Sequence, residues 1–150
     1  MKSRTKTKMA QGSPAQLKRR PARAATAPVS KSARRAQLRE RLIVHLNELG
    51  YTVPAPELVG RFRPELRRRN PYRGSLVYGA TLVAEDLNDA ARHERLVFFA
   101  NRRTTKRAAI QLYIAVEAVN LNRLEALLER LEIRTHARGG NVQLVVADDA

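Results

Sequence analysis

The sequence predicts an α/β domain in which a mixed sheet is flanked by helices, in the order α-β-β-α-β-α-β. Leucines recur at helical spacing near residues 42 and 125, and apolar segments near residues 80, 113 and 144 have the pattern of strands. A turn signal joins the first two strand segments. Strands that alternate with helices favour a sheet covered by helices, and about 110 residues can bury such a core.

The first half of the domain predicts one helix and a hairpin. The segment AQLRERLIVHLNELG, residues 36–50, is predicted to be helical, with Ser32 able to cap the start of the helix and Gly50 its end. Two prolines then exclude a regular helix, and RFRPELRRR, residues 61–69, is predicted to be a strand in which Pro64 indicates an edge position or a bulge. NPYRG is a strong turn signal, and SLVYGATLVA is predicted to be a strand buried on both faces.

The second half predicts helix, strand, helix and strand. Asp86 or Asn88 can cap a helix over residues 89–101, and alternating apolar residues indicate a strand over 109–116. Asn120 is expected to cap the last helix, whose leucine stripe faces the core while its glutamates form a solvated face. A final strand is predicted over residues 142–146.

The net charge of +15 is concentrated at the start of the chain. Residues 1–36 contain 11 of the 29 Lys and Arg and none of the 14 Asp and Glu, so residues 37–150, with 18 against 14, carry only +4. Residues 1–36 have too few bulky apolar side chains to offset their ordering entropy, and they are predicted to be a disordered basic tail. The composition of this tail favours phosphate binding as its role. A solubilising role and a role as an organellar presequence are the alternatives.

The residues that the chain lacks exclude several kinds of site. The absence of cysteine excludes disulfides and thiolate metal sites and fits a reducing compartment. No apolar run reaches the ~20 residues of a bilayer span, so we expect a cytoplasmic protein without a membrane partner. There is no Gly-rich phosphate loop and no HExxH spacing, and the three histidines are interpreted as packed or solvated side chains.

Three stretches, in their order along the chain, carry a resemblance to a known family. They are LNELGYTVPAPELVGRFRPEL, LVYGATLVAEDLND and the predicted helix ARHERLVFFAN. They resemble restriction-endonuclease-like nucleases, the PD-(D/E)XK superfamily, in which a helix ending in LG precedes a strand G-x-R-P-D-L. In that family a strand with G-E-x-K, then E-D-L-N and a helix, follow. The resemblance covers most of residues 37–147 and implies a restriction-endonuclease-like core for residues 37–150.

The resemblance also implies a degenerate catalytic motif. In the family, two carboxylates on adjacent strands hold a divalent cation, usually Mg²⁺, at the scissile phosphate, and a lysine lies two residues beyond the second. Glu65 stands in the first position and is the candidate metal ligand, but Ala80 and Leu82 stand in the other two. Asp86 would lie roughly 20 Å from Ala80 along an extended strand, too far to share an ion with Glu65. We therefore expect no catalytic residue and no cofactor, with Mg²⁺ only if Glu65 has an unorthodox partner.

Basic side chains surround the predicted hairpin and recur in the loop RRTTKR. Arginine forks match phosphate geometry, so two such patches at one groove would hold a polynucleotide backbone. The candidate nucleic-acid-binding residues are Arg61, Arg63, Arg67, Arg68, Arg69, Arg73, Arg102, Arg103, Lys106 and Arg107. The alternatives are ordinary solvated charges or ion pairs with the acidic last helix. For Tyr72, stacking on a base and packing at the hairpin are both open.

The leading functional hypothesis is nucleic-acid binding, with DNA favoured over RNA, on a catalytically degenerate nuclease-like fold. One alternative is an active Mg²⁺-dependent nuclease that uses Glu65. Another is a small RNA-associated structural subunit of a larger assembly. The resemblance leaves a homodimer open, because many nucleases of that fold act as dimers.

Overall fold

The computed structural model describes residues 30–56 and 60–148, which apart from Ser30 lie in one unit, Lys31–Ala150. The basic tail predicted for residues 1–36 lies outside the described residues as far as residue 29. Its last six residues are helical, because the first helix begins at Lys31. Arg34 and Arg35 hold this first turn through hydrogen bonds of 2.6 and 2.9 Å to Glu85 and Asp86.

Three helices and five strands are found in the described residues. The helices are α1 (Lys31–Glu48), α2 (Ala90–Ala100) and α3 (Leu121–Arg130). The strands are β1 (Val53–Pro54), β2 (Leu66–Arg69), β3 (Leu76–Leu82), β4 (Gln111–Glu117) and β5 (Val142–Ala147). Short 3₁₀ turns occupy Ala84–Asn88, Ala118–Asn120 and His136–Arg138. None of the helices described is both long and apolar enough to cross a membrane.

The five strands form one mixed sheet in the order β1-β2-β3-β4-β5. The first three are antiparallel neighbours, and Leu66 of β2 pairs with Gly79 of β3. The last three run parallel, and Val77 of β3 pairs with Gln111 of β4. The general α/β class and the mixed sheet expected from the sequence are confirmed.

The two faces of the sheet bury different helices, as the alternation of side chains along a strand requires. On one face Leu38, Leu42 and Leu46 of α1 pack against Val77 and its neighbours. On the other face α2 and α3 pack against the intervening side chains of β3 and β4. Gly79 lets α1 approach closely, because a Cβ at that position would lie 2.9 Å from Leu42 Cδ2.

The strand predicted over residues 61–69 is shorter in the structure and begins at Leu66. Pro64 has no N–H to donate to a neighbouring strand, and the preceding residues leave the sheet. Phe62 packs edge-on against Phe98 of α2, with ring centroids 5.3 Å apart. The predicted hairpin is therefore found for the turn and for the two strands that flank it, β2 and β3.

One short strand was not predicted from the sequence, and the predicted cap of α2 was wrong. The segment before β2 contains the short strand β1, which covers the edge of β2. Helix α2 is capped by Asp89, whose side chain accepts a hydrogen bond of 3.0 Å from Ala91 N, and not by Asp86 or Asn88. Asp86 is buried in the 3₁₀ turn that follows β3.

Candidate functional site

The charged residues discussed below lie near the two ends of the parallel strands β3, β4 and β5. Segments that precede these strands lie at one end of the sheet, and segments that follow them lie at the other. From Leu76 to Thr81 along β3 the two ends are roughly 16 Å apart, at ~3.3 Å per residue. We call them the amino end and the carboxyl end of the parallel strands.

Five exposed cationic side chains lie at the amino end. They come from the end of β2, from the turn that precedes β3 and from the loop that precedes β4. The turn and the loop are neighbours, because Val77 pairs with Gln111 and paired strands are only ~4.8 Å apart. We call this set the basic rim: Arg69, Arg73, Arg103, Lys106 and Arg107.

The turn that precedes β3 is closed by hydrogen bonds to Asn70, which is only 8% exposed. Asn70 Oδ1 accepts from the backbone N–H groups of Tyr72 and Arg73, each at 2.9 Å. The backbone of Asn70 also bonds to Ser75 O at 2.9 Å and to Gly74 N at 2.8 Å. Gly74 has φ of 74°, a conformation that glycine adopts without strain. The backbone of Tyr72 and Arg73 is therefore held in one conformation.

The loop that precedes β4 is also closed by local hydrogen bonds. Thr104 N donates to Ala108 O, and Arg107 N donates to Thr104 O, each at 2.8 Å. The Thr104 hydroxyl accepts from Ala108 N at 3.1 Å, and Arg103 pairs with Ala109 in an antiparallel bridge. These bonds use the backbone groups of the loop and leave its basic side chains exposed to solvent.

The basic rim differs in its partners from the arginines that surround Thr81 at the carboxyl end. Within residues 30–56 and 60–148, none of its five side chains is part of an ion pair. At the carboxyl end, by contrast, Arg34, Arg35 and Arg92 all pair with carboxylates. Pairing of the rim with the acidic last helix is not found in the part of the chain described, where Glu129 approaches Arg138 at 3.9 Å.

The carboxyl end holds a cluster of two carboxylates and two arginines around Thr81. Both oxygens of Glu65 accept hydrogen bonds from Thr81, at 2.8 Å from the backbone N–H and 2.7 Å from the hydroxyl. Arg35 donates to Thr81 O at 3.0 Å and to Asp86 at 2.9 Å. Arg92 lies between the carboxylates, with Nη1 3.8 Å from Glu65 Oε1 and Nε 3.6 Å from Asp86 Oδ1. We call this the carboxylate cluster.

Asp86 is ionised in this cluster although it is only 1% exposed. Burial alone would raise the pKa of Asp86. Hydrogen bonds from Arg35 and from the Val83 N–H, together with the charges of Arg35 and Arg92, outweigh burial and hold that pKa below its usual value. The carboxylate is thus a stabilising partner for two cationic side chains.

The distance expected from an extended strand was wrong for Asp86. β3 ends at Leu82, and the 3₁₀ turn Ala84–Asn88 folds Asp86 back toward Glu65, so that one guanidinium contacts both carboxylates. The adjoining cavity, lined by Glu65, Ala80, Leu82 and Arg92 among others, has a volume of about 20 Å³, room for about one water. Among the described residues, no three His, Cys, Asp or Glu side chains are grouped to hold a metal ion.

The ten arginines and lysines singled out in the sequence do not form one surface. Arg61 lies over α2, where it pairs with Glu94 at 3.0 Å, and both side chains are exposed. Arg67 and Arg68 donate hydrogen bonds of 2.8 and 3.3 Å to carbonyl groups of residues 52–56. These contacts hold β1 against β2.

Two more of the ten basic residues lie outside the basic rim. Arg63 is exposed at the carboxyl end, and its carbonyl accepts a hydrogen bond from Arg95. Arg102 is half-buried, with its guanidinium 5.2 Å from the centre of the Phe98 ring. The remaining five are the basic rim.

Sequence reasoning missed most of the carboxylate cluster. Arg35 was assigned to the tail, Thr81 to the interior of a strand, and Arg92 to no site. The stretch AEDLND contains the one available signal, since an Asp directly after a buried strand can fold back on that strand. Nothing in its spacing identifies the two arginines as its partners.

Comparison with known proteins gives no relative that would indicate a role for the basic rim or for the carboxylate cluster. No protein-family model, no curated protein and no solved structure matches this chain.

Proposed function

We propose that this chain binds nucleic acid, DNA in preference to RNA, by holding backbone phosphates on the basic rim. The observation that carries the proposal is that five exposed cationic side chains lie together and have no carboxylate partner among the described residues. Arginine and lysine contacts to phosphate position a protein on a polynucleotide without selecting a sequence. The basic residues 1–29 would add further phosphate contacts.

The proposal includes a restriction-endonuclease-like fold for residues 37–150 without a working nuclease site. The order of the helices and strands apart from β1, and the position of Glu65 directly before β2 beside Thr81 of β3, support that resemblance. Ala80 and Leu82 offer no charged group, and both oxygens of Glu65 already accept hydrogen bonds from Thr81. The resemblance also favours DNA over RNA as the ligand. We expect a cytoplasmic location, because the chain has no cysteine.

Salt dependence is the first test of this function. Five phosphates neutralised by the basic rim alone give a slope of log K against log[salt] near −4.5, or a loss of roughly 500-fold between 50 and 200 mM salt, and contacts from residues 1–29 would make the slope steeper. The measurement is fluorescence anisotropy of a labelled 20-base-pair duplex titrated with the full chain. An affinity that hardly changes between these salt concentrations would overturn the proposal.

Competition in the same assay separates DNA from RNA. Unlabelled DNA duplex is expected to displace the probe at a lower concentration than an RNA duplex of equal length. The reverse order would favour the alternative in which the chain is an RNA-associated subunit of a larger assembly.

We expect no metal-dependent cleavage by the purified chain. Incubation with plasmid, single-stranded DNA and RNA, in Mg²⁺ or Mn²⁺, is expected to leave all three intact, because Arg92 lies where a cation would have to bridge Glu65 and Asp86. Glu65→Ala is the matched control. Cleavage by the natural chain that disappears in this variant would establish the nuclease alternative instead.

A further inference from the structure

Tyr72 is the large apolar side chain that the described part of the fold leaves most exposed. It is 95% exposed at the tip of the turn before β3, whereas Tyr78 and Tyr113 are 1% and 7% exposed. A tyrosine that packed at the hairpin would be covered by its neighbours, and this one is not. The packing role that the sequence left open is therefore not what the structure shows for Tyr72.

The exposure of Tyr72 is not the result of a loosely held turn. Its backbone N–H and that of Arg73 both bond to Asn70 Oδ1, and Asn70 is itself buried. The amide of Asn70 also packs against the end of α1, since a Cβ on Gly50 would lie 2.8 Å from Asn70 Nδ2. A ring presented from a fixed backbone loses little conformational freedom when a flat ligand covers it.

The surroundings of Tyr72 favour a nucleotide as that ligand. Arg73 follows it directly, Arg69 ends the strand before it, and the loop that carries Arg103 and Lys106 precedes the neighbouring strand. An aromatic face stacks on a nucleobase of any identity, while adjacent cationic groups hold the phosphates. A single exposed aromatic side chain provides a surface for one base and not for a run of bases.

We infer that Tyr72 stacks on one unpaired nucleobase of a strand whose phosphates the basic rim holds. The inference rests on the proposed function and makes it more specific, because a paired base inside a duplex does not offer its face. An unpaired base can instead leave its neighbours and cover the Tyr72 ring. The chain is then expected to prefer a strand with accessible bases over the same backbone without them.

The test compares two single strands that share a backbone and differ in their bases. One is a 12-nucleotide oligothymidine, and the other has abasic sites at all internal positions. The natural chain is expected to bind the oligothymidine about 5- to 150-fold more tightly, the range that stacking of one base on an aromatic side chain provides. Tyr72→Ala is expected to lower the affinity for oligothymidine to that for the abasic strand and to leave the latter unchanged.

Two controls make the outcome specific. Tyr72→Phe keeps the aromatic face and is expected to keep the preference for bases. Because the Tyr72 side chain is almost fully exposed, neither substitution is expected to change the thermal unfolding temperature. If both strands bind equally and Tyr72→Ala changes neither affinity, the inference is wrong while phosphate binding stands. If neither strand nor a duplex binds, both the inference and the proposed function fail.

Discussion

Reversing two charges of the basic rim is expected to weaken DNA binding by about 10- to 100-fold at low salt. The variant Arg73→Glu/Lys106→Glu takes one residue from the turn and one from the loop, and both side chains are exposed. Each lost phosphate contact removes a charge-assisted hydrogen bond and lowers the salt slope by about one unit. Duplex anisotropy titrations at 50, 100 and 200 mM salt measure both effects.

The matched control reverses two exposed charges in the segment that precedes β2. Arg61→Glu/Arg63→Glu changes the net charge by the same amount, and both arginines are exposed and near the predicted nuclease position. These arginines lie outside the basic rim, and salt screens exposed charges over about 10 Å at 0.1 M, so a smaller loss than in the rim variant is expected. Equal losses in the two double variants would mean that net charge alone, and not the basic rim, governs binding.

Asp86→Asn is expected to lower the free energy of unfolding by roughly 3–5 kcal/mol, the usual cost of removing one partner from a buried ion pair. The Asp86 side chain is fully buried, and the Arg35 side chain with which it pairs at 2.9 Å is 18% exposed. The variant leaves the charge of Arg35 without its carboxylate, removes one of the two carboxylates beside Arg92, and places an amide N–H₂ opposite a donor, either Arg35 or the Val83 N–H. Urea denaturation followed by circular dichroism measures the change.

Glu85→Gln is the neighbouring control. Glu85 pairs with Arg34 at 2.6 Å, but its side chain is 49% exposed, so removal of its charge is expected to change the stability little. If Glu85→Gln were as destabilising as Asp86→Asn, the burial of Asp86 would not be the reason for its importance.

Lowering the pH is expected to remove the contribution of the Asp86 carboxylate to the free energy of unfolding. Since the folded-state pKa of Asp86 lies below its unfolded value, its contribution is complete above the ordinary aspartate pKa of about 3.9 and is lost as the pH falls through the folded-state pKa. The stability difference between the natural chain and Asp86→Asn should be constant near neutral pH and shrink below about pH 4. A difference that grew in acid would contradict the assignment of Asp86 as an ionised partner of Arg35.

The helices and strands could be predicted because their core positions are encoded locally. Leucines at helical spacing define the buried faces of α1 and α3, and alternating residues define β4, whose two faces pack on different helices. The strand predicted over residues 61–69 was too long at its start. The alternation of charged and apolar residues does not show that Phe62 packs against a helix instead of lying in the sheet.

The candidate site was harder to predict because it depends on register. Arg63 and Arg69 lie six residues apart in one basic stretch, but Arg63 precedes β2 and accepts a hydrogen bond from Arg95 of α2, whereas Arg69 ends β2 beside the turn that precedes β3. Arg69 and Arg103 are far apart in sequence, and the pairing of β3 with β4 brings their segments together. Asp86 shows the same limitation, since only the 3₁₀ turn after β3 places it beside Glu65 and Arg92.

The most direct test of the central claim is a map of the DNA contact on the protein. Backbone amide shifts of the isotope-labelled 16.9 kDa chain can be followed by NMR during titration with a short DNA duplex. Among the described residues, binding at the basic rim predicts shifts concentrated at residues 69–75 and 102–109. Shifts confined to Glu65, Thr81 and Arg92, or no shifts in the described residues at saturating DNA, would contradict it.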